Sequence, residues 1–552
     1  MTRPRPVAEA ENRLVRFNGE RDAILSLVTR RVTDHYLVAA ERSSDASLEY
    51  VLNDVAYWEV QRHERDKSPA GKRGVARWRD LAGRLGRLNE VEKRVELERL
   101  VEHYAKDIVG NFNPRVYRFA NDVLPPALSI LFTPVSSMRQ GLAALDSMSR
   151  RIQVEGELDA VRTACDLGTL VVAPTHSSNM DSVVIGLALK LAKLPPVTYG
   201  AGKNLFSNPL ISYFMHNLGA YRVDRRLKFG LYKDVLKEYS TVLLEQGYHS
   251  LFFPGGTRCR SNVIESHLKL GLLGTGLAAF RNGAMAGNGH RRIYVVPATI
   301  NYRLVLEAET LVEDYLAETG KSRYIIEDDE FSRMGRVLEF VRKMLVHEGA
   351  VIIRFGRPLD PFGNTVDDAG ESVDRHGRRV DPATYLTGTD GKVDLDAQRE
   401  AVYTRDLGEA LSATFRRETV FMSTHLVCRA AFDAAVDRTG VVDIYRLLRL
   451  PPSAIVVTRD EVCRRVDDLR RRIAAAPEWG RVEDRTAALS APELLDDALR
   501  ALTTYHTFPV LEAGGQRIQI GSMKLCYYYR NRTAHIPQEP EQAAATTARG
   551  AA

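Results

Sequence analysis

The sequence predicts an α/β protein in which a mostly parallel sheet is covered by helices, with helical regions before and after it. Between about residues 165 and 360, short β-branched runs alternate with helical periodicity, which is typical of a parallel sheet with packed helices. Residues 13 to about 160 show helical spacing alone. The chain therefore divides into a helical N-terminal region (1–160), an α/β domain (161–360), a polar loop (361–394), a C-terminal helical region (395–537) and a disordered tail (538–552).

The strands and helices follow from local patterns. Strands are predicted at Leu170–Ala173, Pro196–Tyr199, Ala220–Val223, Ser250–Phe253, Tyr294–Thr299 and Val351–Phe355. Helices are predicted between most of them, for example over Leu231–Gln246 and Leu268–Arg281, and again over Leu395–Arg438 and Arg459–Ile473. The glycine-rich string Gly271–Gly276 lies inside a helical pattern and does not follow a strand, so it is a poor dinucleotide-binding fingerprint.

Composition narrows the class of protein. A net charge of +6 over 552 residues does not by itself indicate nucleic-acid binding. The five cysteines form no C-x-x-C pair, which fits a reducing compartment, and no metal-ligand pattern such as His-Glu-x-x-His is present. Residues 1–12 lack the apolar core of a signal peptide, and no apolar run reaches 18 residues. We therefore expect no metal, no nucleic-acid partner and no membrane-spanning helix.

The segment from Gly168 to Asp181 carries the strongest chemical pattern. A buried-strand pattern ends at Pro174 and is followed by His176, Ser-Ser-Asn, and Asp181, where a helical pattern begins. Ligands of open α/β sheets bind at such strand ends. Across a turn, the Asp181 carboxylate could orient the His176 imidazole as a general base. Alternatively, Asp181 caps the helix and His176 is an ordinary loop residue; spacing alone does not separate the two readings.

Two basic clusters follow later strands. Residues 219–226 deliver Arg222, Arg225 and Arg226, and residues 252–260 place Arg258 and Arg260 after the glycine turn Gly255-Gly256. Arginine forks bind phosphate in a bidentate manner, and a glycine turn can expose backbone amides to an anion. Any single pair is more commonly a solvated loop. Two clusters at strand ends, both downstream of the histidine, favour a phosphate pocket.

Two segments suit a membrane surface. Residues 62–87 hold nine Lys or Arg against three acidic residues, with Trp58 and Trp78 in or beside them. Basic residues near anionic headgroups contribute about 1 kcal/mol each, and tryptophan prefers the interface. The proline-containing apolar run Val123–Val135 could dip into a bilayer surface. The alternatives are a solvated basic face for the first segment and packing on the core for the second.

Four blocks, in order, resemble the glycerolipid acyltransferases, most closely the glycerol-3-phosphate and dihydroxyacetone-phosphate acyltransferases. The blocks are His176-Ser-Ser-Asn-Met-Asp181, Gly219-Ala-Tyr-Arg-Val-Asp-Arg225, Phe253-Pro-Gly-Gly-Thr-Arg258, and Val296-Pro297 with Ile300-Asn-Tyr302. Lys203, residues 268–273 and 302–307, and Tyr528–Arg532 are also similar to the family. The third block departs from it, because Gly255 stands where the family usually has glutamate and Cys259 where serine is common.

The resemblance implies an acyltransferase fold and direct acyl transfer. His176, oriented by Asp181, would take the proton of a hydroxyl on glycerol-3-phosphate, which would attack the thioester of acyl-CoA or acyl carrier protein, a co-substrate and not a cofactor. Lys203, Arg222, Arg225 and Arg258 would hold the acceptor phosphate. Gly255, Gly256 and Thr257 would let backbone groups approach the ligand, and Pro297 marks the fourth block.

The implied setting is the first step of phospholipid synthesis, with the protein bound peripherally to anionic lipids on the cytoplasmic side of a membrane. The alternatives are a lysophosphatidate or other phospho-alcohol acyltransferase, or a membrane-surface protein of this fold that has lost turnover. Gly255 favours the last alternative, and the intact His176 and Asp181 pair opposes it.

Overall fold

The structure of the protein is a computed structural model. It describes residues 13–42, 47–120, 152–207, 209–286, 292–305, 307–319, 351–388, 393, 396–451 and 455–538. The apolar run predicted at Val123–Val135, and all of the predicted tail after residue 538, lie outside the described residues.

A seven-stranded sheet forms the centre of the α/β domain, in the order β1-β7-β6-β2-β5-β3-β4. Its strands are β1 (Ile152–Gly156), β2 (Gly168–Pro174), β3 (Thr198–Gly202), β4 (Ala220–Val223), β5 (Ser250–Leu251), β6 (Arg292–Tyr302) and β7 (Val351–Phe355). Neighbouring strands are parallel except for β6 and β7, which are antiparallel. The predicted fold class, a mostly parallel sheet covered by helices, is confirmed.

The predicted and observed strands differ mainly at their ends. The bounds of β4 and β7 agree with the prediction, whereas β5 contains only two residues because the chain turns at Pro254. The edge strand β1 was not predicted. It pairs only with β7, and its short Ile-Gln-Val-Glu-Gly sequence lacks the continuous apolar run of a strand buried on both faces.

The helices lie before, between and after these strands. They are α1 (Phe17–Arg42), α2 (Leu48–Glu64), α3 (Pro69–Arg84), α4 (Glu90–Ile108), α5 (Pro114–Arg118), α6 (Leu158–Leu167), α7 (Asp181–Leu191), α8 (Pro209–Asn217), α9 (Gly230–Glu245), α10 (Leu270–Met285), α11 (Ala308–Thr319), α12 (Ala397–Arg417), α13 (Ser423–Thr439), α14 (Ile444–Leu447), α15 (Arg459–Ala475), α16 (Asp484–Ala488), α17 (Ala491–Thr504) and α18 (Met523–Arg530).

The sheet separates two apolar layers. Successive residues of a strand point to opposite faces, and in β2 the side chains of Leu170 and Val172 pack in one cluster with residues of α7 and α13. Val171 and Ala173 pack in the other cluster with residues of α10 and α12. Because both faces of β2 are covered, the strand is buried almost throughout, as its apolar sequence indicates.

The N-terminal helices pack against the β4 side of the domain. Tyr104 of α4 contacts Phe229 and Tyr232 of the α9 segment, with ring centroids 5.5 and 5.8 Å apart. An Asn89–Glu92 capping box begins α4. The same helix carries Asp107 in its last turn, next to the loops that follow β3 and β4. The helical region therefore contributes a side chain to the sheet edge that carries the predicted site.

The C-terminal part is also mainly helical, and α13 is its buried centre. Its remaining short strands are β8 (Thr365–Val366), β9 (Ser372–Val373), β10 (Val420–Phe421), β11 (Val456–Thr458), β12 (Arg481–Val482), β13 (Leu511–Gly514) and β14 (Arg517–Ile520). Residues 361–388 are not simply an exposed loop, since Phe362 and Leu386 are buried and β8 pairs with β9. Aromatic packing of Phe362 on Phe280 of α10 and Tyr403 of α12 holds this segment to the rest of the protein.

Candidate active site

The loop between β2 and α7 brings His176 and Asp181 together. Nδ1 of His176 lies 2.8 Å from Oδ2 of Asp181. The same oxygen accepts hydrogen bonds from the backbone amides of Ser177 and Ser178, at 2.6 and 2.9 Å. These donors precede Asp181 in the chain, so its carboxylate folds back over the loop and does not cap the following helical turn. This geometry supports the reading of Asp181 as the orienting acid.

The second oxygen of Asp181 is held by Tyr302 at the end of β6. The Tyr302 hydroxyl donates to Oδ1 at 2.6 Å, and the Asp181 side chain is fully buried. Burial, together with the nearby Asp181 charge, raises the pKa of Tyr302 well above its usual range, so the phenol keeps its proton and remains a donor. Both carboxylate oxygens therefore accept hydrogen bonds from the protein, three at Oδ2 and one at Oδ1, which fixes the position of the Asp181 side chain.

The His176 ring is oriented on two sides. Because Nδ1–H donates to Asp181, Nε2 carries the lone pair of the neutral imidazole. Phe253, from the loop after β5, stacks on the ring with centroids 4.2 Å apart and an interplanar angle of 23°. The His176 side chain is 16% exposed. The ring is thus fixed in tautomer and plane while it remains accessible.

Two further carboxyl groups accept hydrogen bonds from the loop that carries His176. Oε1 of Glu265 accepts the His176 backbone amide at 2.6 Å. Glu307 accepts hydrogen bonds from the Ser178 hydroxyl at 2.9 Å and the Asn179 amide at 2.8 Å. Burial raises the pKa of both carboxyl groups, that of Glu265 to about 8. The loop therefore rests on acids that come from distant parts of the chain.

Lys203 and Arg222 lie together, beside an acidic residue of the N-terminal region. The Lys203 ammonium group is 2.7 Å from an Asp107 carboxylate oxygen and 3.7 Å from Asp224. Arg222 donates to the Asp107 backbone carbonyl at 3.5 Å and lies over the Phe206 ring at 5.1 Å. These two predicted phosphate ligands are therefore neighbours, and Lys203 already has carboxylate partners.

The other predicted phosphate ligands differ in their surroundings. Arg225 is exposed just after β4, and among the described residues its guanidinium group makes no ion pair. Arg258 is 3.8 Å from Glu307, which links it to the His176 loop. Arg260 pairs with Glu318 of α11 at 2.8 Å. Since β2, β5, β3 and β4 are parallel neighbours, the loops that carry these residues all leave the same edge of the sheet.

The glycine turn is used within the protein. Gly256 has a φ of +76°, which favours glycine, and its amide donates to the Phe253 carbonyl at 3.0 Å. The Gly255 amide faces the Glu265 carboxyl group, and Thr257 is exposed. The Gly256 amide therefore donates its hydrogen bond inside the turn. This differs from the expectation that the amides of the glycine turn approach a ligand.

Pro297 lies within β6, opposite Ala173 of β2, and its carbonyl accepts the Gly356 amide at 2.9 Å. A proline has no backbone N–H group to donate to a neighbouring strand. Pro297 therefore affects the hydrogen bonding of the sheet behind the site.

Glu265 is not among the residues predicted from the sequence, and Phe253, Tyr302 and Glu307 have roles that were not predicted. Tyr302 and Glu307 lie in a segment that resembles the family, so that segment was the available indication. Glu265 is 89 residues from His176 and lies in a loop without periodicity. Nothing in the spacing of the sequence indicates its contact with the histidine loop.

Comparison with known proteins identifies the class of the central domain. Residues 151–301 match the family model described as Acyltransferase. These residues contain β1 to most of β6, with His176, Asp181 and the glycine turn. Together with the relatives described next, this match supports a relationship of this domain to the glycerolipid acyltransferases.

Bacterial glycerol-3-phosphate acyltransferases are among the similar curated proteins. The chain is 26% identical over 263 residues to the glycerol-3-phosphate acyltransferase of Pseudomonas aeruginosa (strain LESB58), covering 48% of this chain and 28% of that protein. It is 30% identical over 215 residues to the glycerol-3-phosphate acyltransferase of Aeromonas hydrophila, covering 39% of this chain and 24% of that protein. The chain thus spans about a quarter of the length of the curated relatives it matches.

A solved structure is also similar in part. It is the 1-acyl-sn-glycerophosphate (LPA) acyltransferase from Thermotoga maritima, at 15% identity and a TM-score of 0.23, covering 48% of this chain and 85% of that one.

Proposed function

We propose that this protein transfers a fatty acyl group from a thioester to a hydroxyl of glycerol-3-phosphate, with His176 as general base. The observation that carries the proposal is the His176–Asp181 pair, in which Nδ1 lies 2.8 Å from a buried carboxylate and Nε2 is left to accept a proton. The match of the domain to the acyltransferase family supports the reaction class, and the activity by which its relatives are named supports the acceptor.

The proposed reaction proceeds without a covalent enzyme intermediate. Nε2 of His176 takes the proton of the acceptor hydroxyl as its oxygen attacks the thioester carbonyl. The tetrahedral intermediate then collapses, the carbon–sulfur bond breaks, and the imidazolium returns the proton to the leaving thiolate. Asp181 stabilises the imidazolium between these steps. General-base catalysis of this kind contributes typically about 10²–10⁴-fold, and the donor is either acyl-CoA or acyl carrier protein.

We assign the acceptor phosphate to the cations at the same sheet edge. Arg225 is exposed and lacks an ion-pair partner among the described residues, while Arg258 is linked through Glu307 to the histidine loop. Lys203 and Arg222 lie beside Asp107, so a phosphate bound there would share Lys203 with that carboxylate. Guanidinium groups suit phosphate because they present paired donors.

We also propose peripheral attachment to an anionic membrane on its cytoplasmic side, as part of phospholipid synthesis. Among the described residues, no helix combines the length and apolar character that a membrane crossing needs. Around the start of α3, Lys67, Lys72 and Arg73 are exposed, and Trp58 is partly exposed nearby. Trp78, also expected at the interface, is only 3% exposed and belongs to the core, which corrects that part of the expectation.

A thioester-release assay with purified protein tests the proposed function. Acyl-CoA and acyl carrier protein donors are each combined with glycerol-3-phosphate, dihydroxyacetone phosphate and lysophosphatidate, and free thiol is measured. We expect release that depends on glycerol-3-phosphate, and a loss of kcat of about 10²–10⁴-fold in His176→Ala. The control is His376→Ala, which removes an exposed histidine of a hairpin turn. Full turnover in His176→Ala contradicts the mechanism, and release with another acceptor alone contradicts the substrate.

A further inference from the structure

A carboxyl group occupies the space beside Gly255, although the sequence has no acid at that position. A Cβ atom placed on Gly255 would lie 2.3 Å from Oε2 and 2.7 Å from Cδ of Glu265. Real Cβ atoms essentially never show such distances, so a side chain at position 255 would require the Glu265 carboxyl group, which fills this place, to move. Glu265, ten residues further along the chain, thus places a carboxyl group next to the glycine of the third block.

The loop after the glycine turn holds Glu265 in this place. The loop folds back on the turn, because the Lys269 amide donates to the Pro254 carbonyl at 2.6 Å. The Cys259 amide donates to the His176 carbonyl at 2.7 Å. Ser412 of α12 donates to the Glu265 carbonyl at 3.3 Å, and the neighbouring Ile264 is buried in the apolar core. Anchors on both sides therefore aim the Glu265 side chain inward.

The carboxyl group connects the two loops that form the site. Its Oε1 accepts the His176 amide at 2.6 Å, and the Gly255 amide also faces it. Its Oε2 is buried and has no hydrogen-bond partner of normal geometry among the described residues. Burial is the main cause that raises the pKa of Glu265 to about 8; the Asp181 charge adds to it, while the two amides and the Arg532 charge oppose it.

We propose that Glu265 supplies the carboxyl group that position 255 lacks, and that it positions the His176 loop and the Gly255-Gly256 turn for acyl transfer. The inference rests on the proposed function of this site. Glu265 is a positioning residue, since its contacts are with backbone amides and not with the reacting atoms. It follows that the glycine in the third block does not indicate lost turnover in this chain.

Moving the carboxyl group from position 265 to position 255 tests the proposal. In Glu265→Ala, kcat should fall about 10–100-fold with little change in either KM, as expected when one short buried hydrogen bond is lost. Glu265→Gln should keep most activity, because its amide oxygen can accept the His176 amide. Gly255→Glu alone should be impaired by the clash. The double variant Gly255→Glu, Glu265→Ala should regain at least about tenfold over Glu265→Ala. The control is Glu313→Gln, which removes an exposed carboxylate.

Amide hydrogen exchange provides a readout that does not need turnover. Exchange in a peptide covering residues 175–182 should accelerate in Glu265→Ala and slow again in the double variant, while a peptide from α4 should not change. A Glu265→Ala protein with wild-type kcat and wild-type exchange overturns the inference, and so does a folded double variant no better than Glu265→Ala in both measurements. If wild-type protein transfers no acyl group to any acceptor, the proposed function fails, and the exchange data alone decide whether Glu265 holds the loop.

Discussion

The His176 loop and the loops with the predicted phosphate ligands leave the same edge of the sheet, yet they are built differently. In the first, Asp181 is fully buried and has four donors from the chain. In the second, Lys203 is 37% exposed with carboxylate partners, and Arg225 is exposed without an ion pair among the described residues. One half of the site is preorganised, whereas the other consists of charges at a solvent-accessible edge.

Because of this difference, the two halves suit different chemical roles. A general base needs a fixed tautomer and direction, so its supporting groups must be satisfied within the protein. A phosphate subsite needs cations that can exchange their present partners for a ligand, and a partly exposed Lys203 beside Asp107 meets that requirement. We therefore expect substitutions in the first half to alter kcat and stability, and substitutions in the second half to alter the acceptor KM.

The largest expected effect is at Asp181. Asp181→Asn removes the negative charge that four donors share, and its NH₂ group avoids facing another donor only at the Oδ1 position, where the Tyr302 hydroxyl must accept instead of donate. We expect a loss of about 3–5 kcal/mol in the free energy of unfolding, measured by urea denaturation, and a large loss of kcat. Tyr302→Phe is the matched variant, because it removes only the Oδ1 donor, and it should lose clearly less stability. Wild-type stability in Asp181→Asn contradicts the idea of a preorganised half.

The preorganised half is also the part of the site that the sequence predicts best. His176 and Asp181 lie five positions apart, so one turn suffices to join them, and the strand before them is a continuous apolar run. Glu265 and Glu307 could not be predicted in the same way, because their contacts with the loop join residues 89 and 128 positions apart. Such contacts depend on the paths of loops, and loop sequences have no periodicity from which these paths could be predicted.

In the fold as well, features that depend on contacts between residues far apart in the chain could not be predicted from the sequence. The bounds of β4 and β7 follow from apolar runs, while the edge strand β1 depends on pairing with a strand almost 200 residues later. Charge composition indicated a basic segment near residue 70, but it could not show that Trp78 turns into the core. Which face of a helix is buried depends on the partner helix, and the pairing of α2 with α3 is a tertiary property.

The next effect concerns pH. Since burial raises the pKa of Glu265 to about 8, the folded state keeps a proton that the unfolded chain releases near pH 4.5. The stabilising contribution is complete below the unfolded pKa and is lost as the pH rises toward 8. Between pH 5 and 7 this loss amounts to about 2 kcal/mol.

Denaturation of wild type and Glu265→Gln over this pH range measures the effect. The difference between the two curves isolates Glu265, because the other titrating groups are common to both proteins. We expect the wild type to lose stability relative to Glu265→Gln from pH 5 to 7. Parallel curves would show that Glu265 ionises at its ordinary pKa and that its carboxyl group is better solvated than the structure indicates.

A smaller effect tests the solvent-accessible half. Arg225→Ala and Arg258→Ala should each raise the KM for glycerol-3-phosphate about tenfold and leave the KM of the thioester nearly unchanged, because a charge-assisted hydrogen bond to phosphate is lost. Arg260→Ala is the matched control, since Arg260 is paired with Glu318. Equal increases in both KM values would indicate that these residues help to bind the thioester donor. A fall in kcat alone would show that the two halves of the site do not differ in function.

The smallest effect per residue concerns the membrane, where the exposed cations around the start of α3 are expected to bind anionic headgroups. Lys67, Lys72 and Arg73 are exposed and have no ion pair with a described residue. Each should contribute about 1 kcal/mol to binding of anionic vesicles, and that contribution should weaken as the Debye length falls from about 10 Å at 0.1 M salt to about 3 Å at 1 M.

Flotation with phosphatidylglycerol-containing liposomes at low and high salt measures this attachment. Replacing the three residues by glutamine should reduce flotation at low salt by at least tenfold, since about 3 kcal/mol is removed. The matched control replaces Arg405, Arg449 and Arg464 by glutamine, which removes the same net charge at exposed positions of the C-terminal region that also have no ion pair with a described residue. If both triple variants lose flotation equally, attachment follows net charge and not the α3 surface. If the wild type stays at the bottom of the gradient at both salt concentrations, the basic segment is only a solvated face, and the acyl donor must reach His176 from solution.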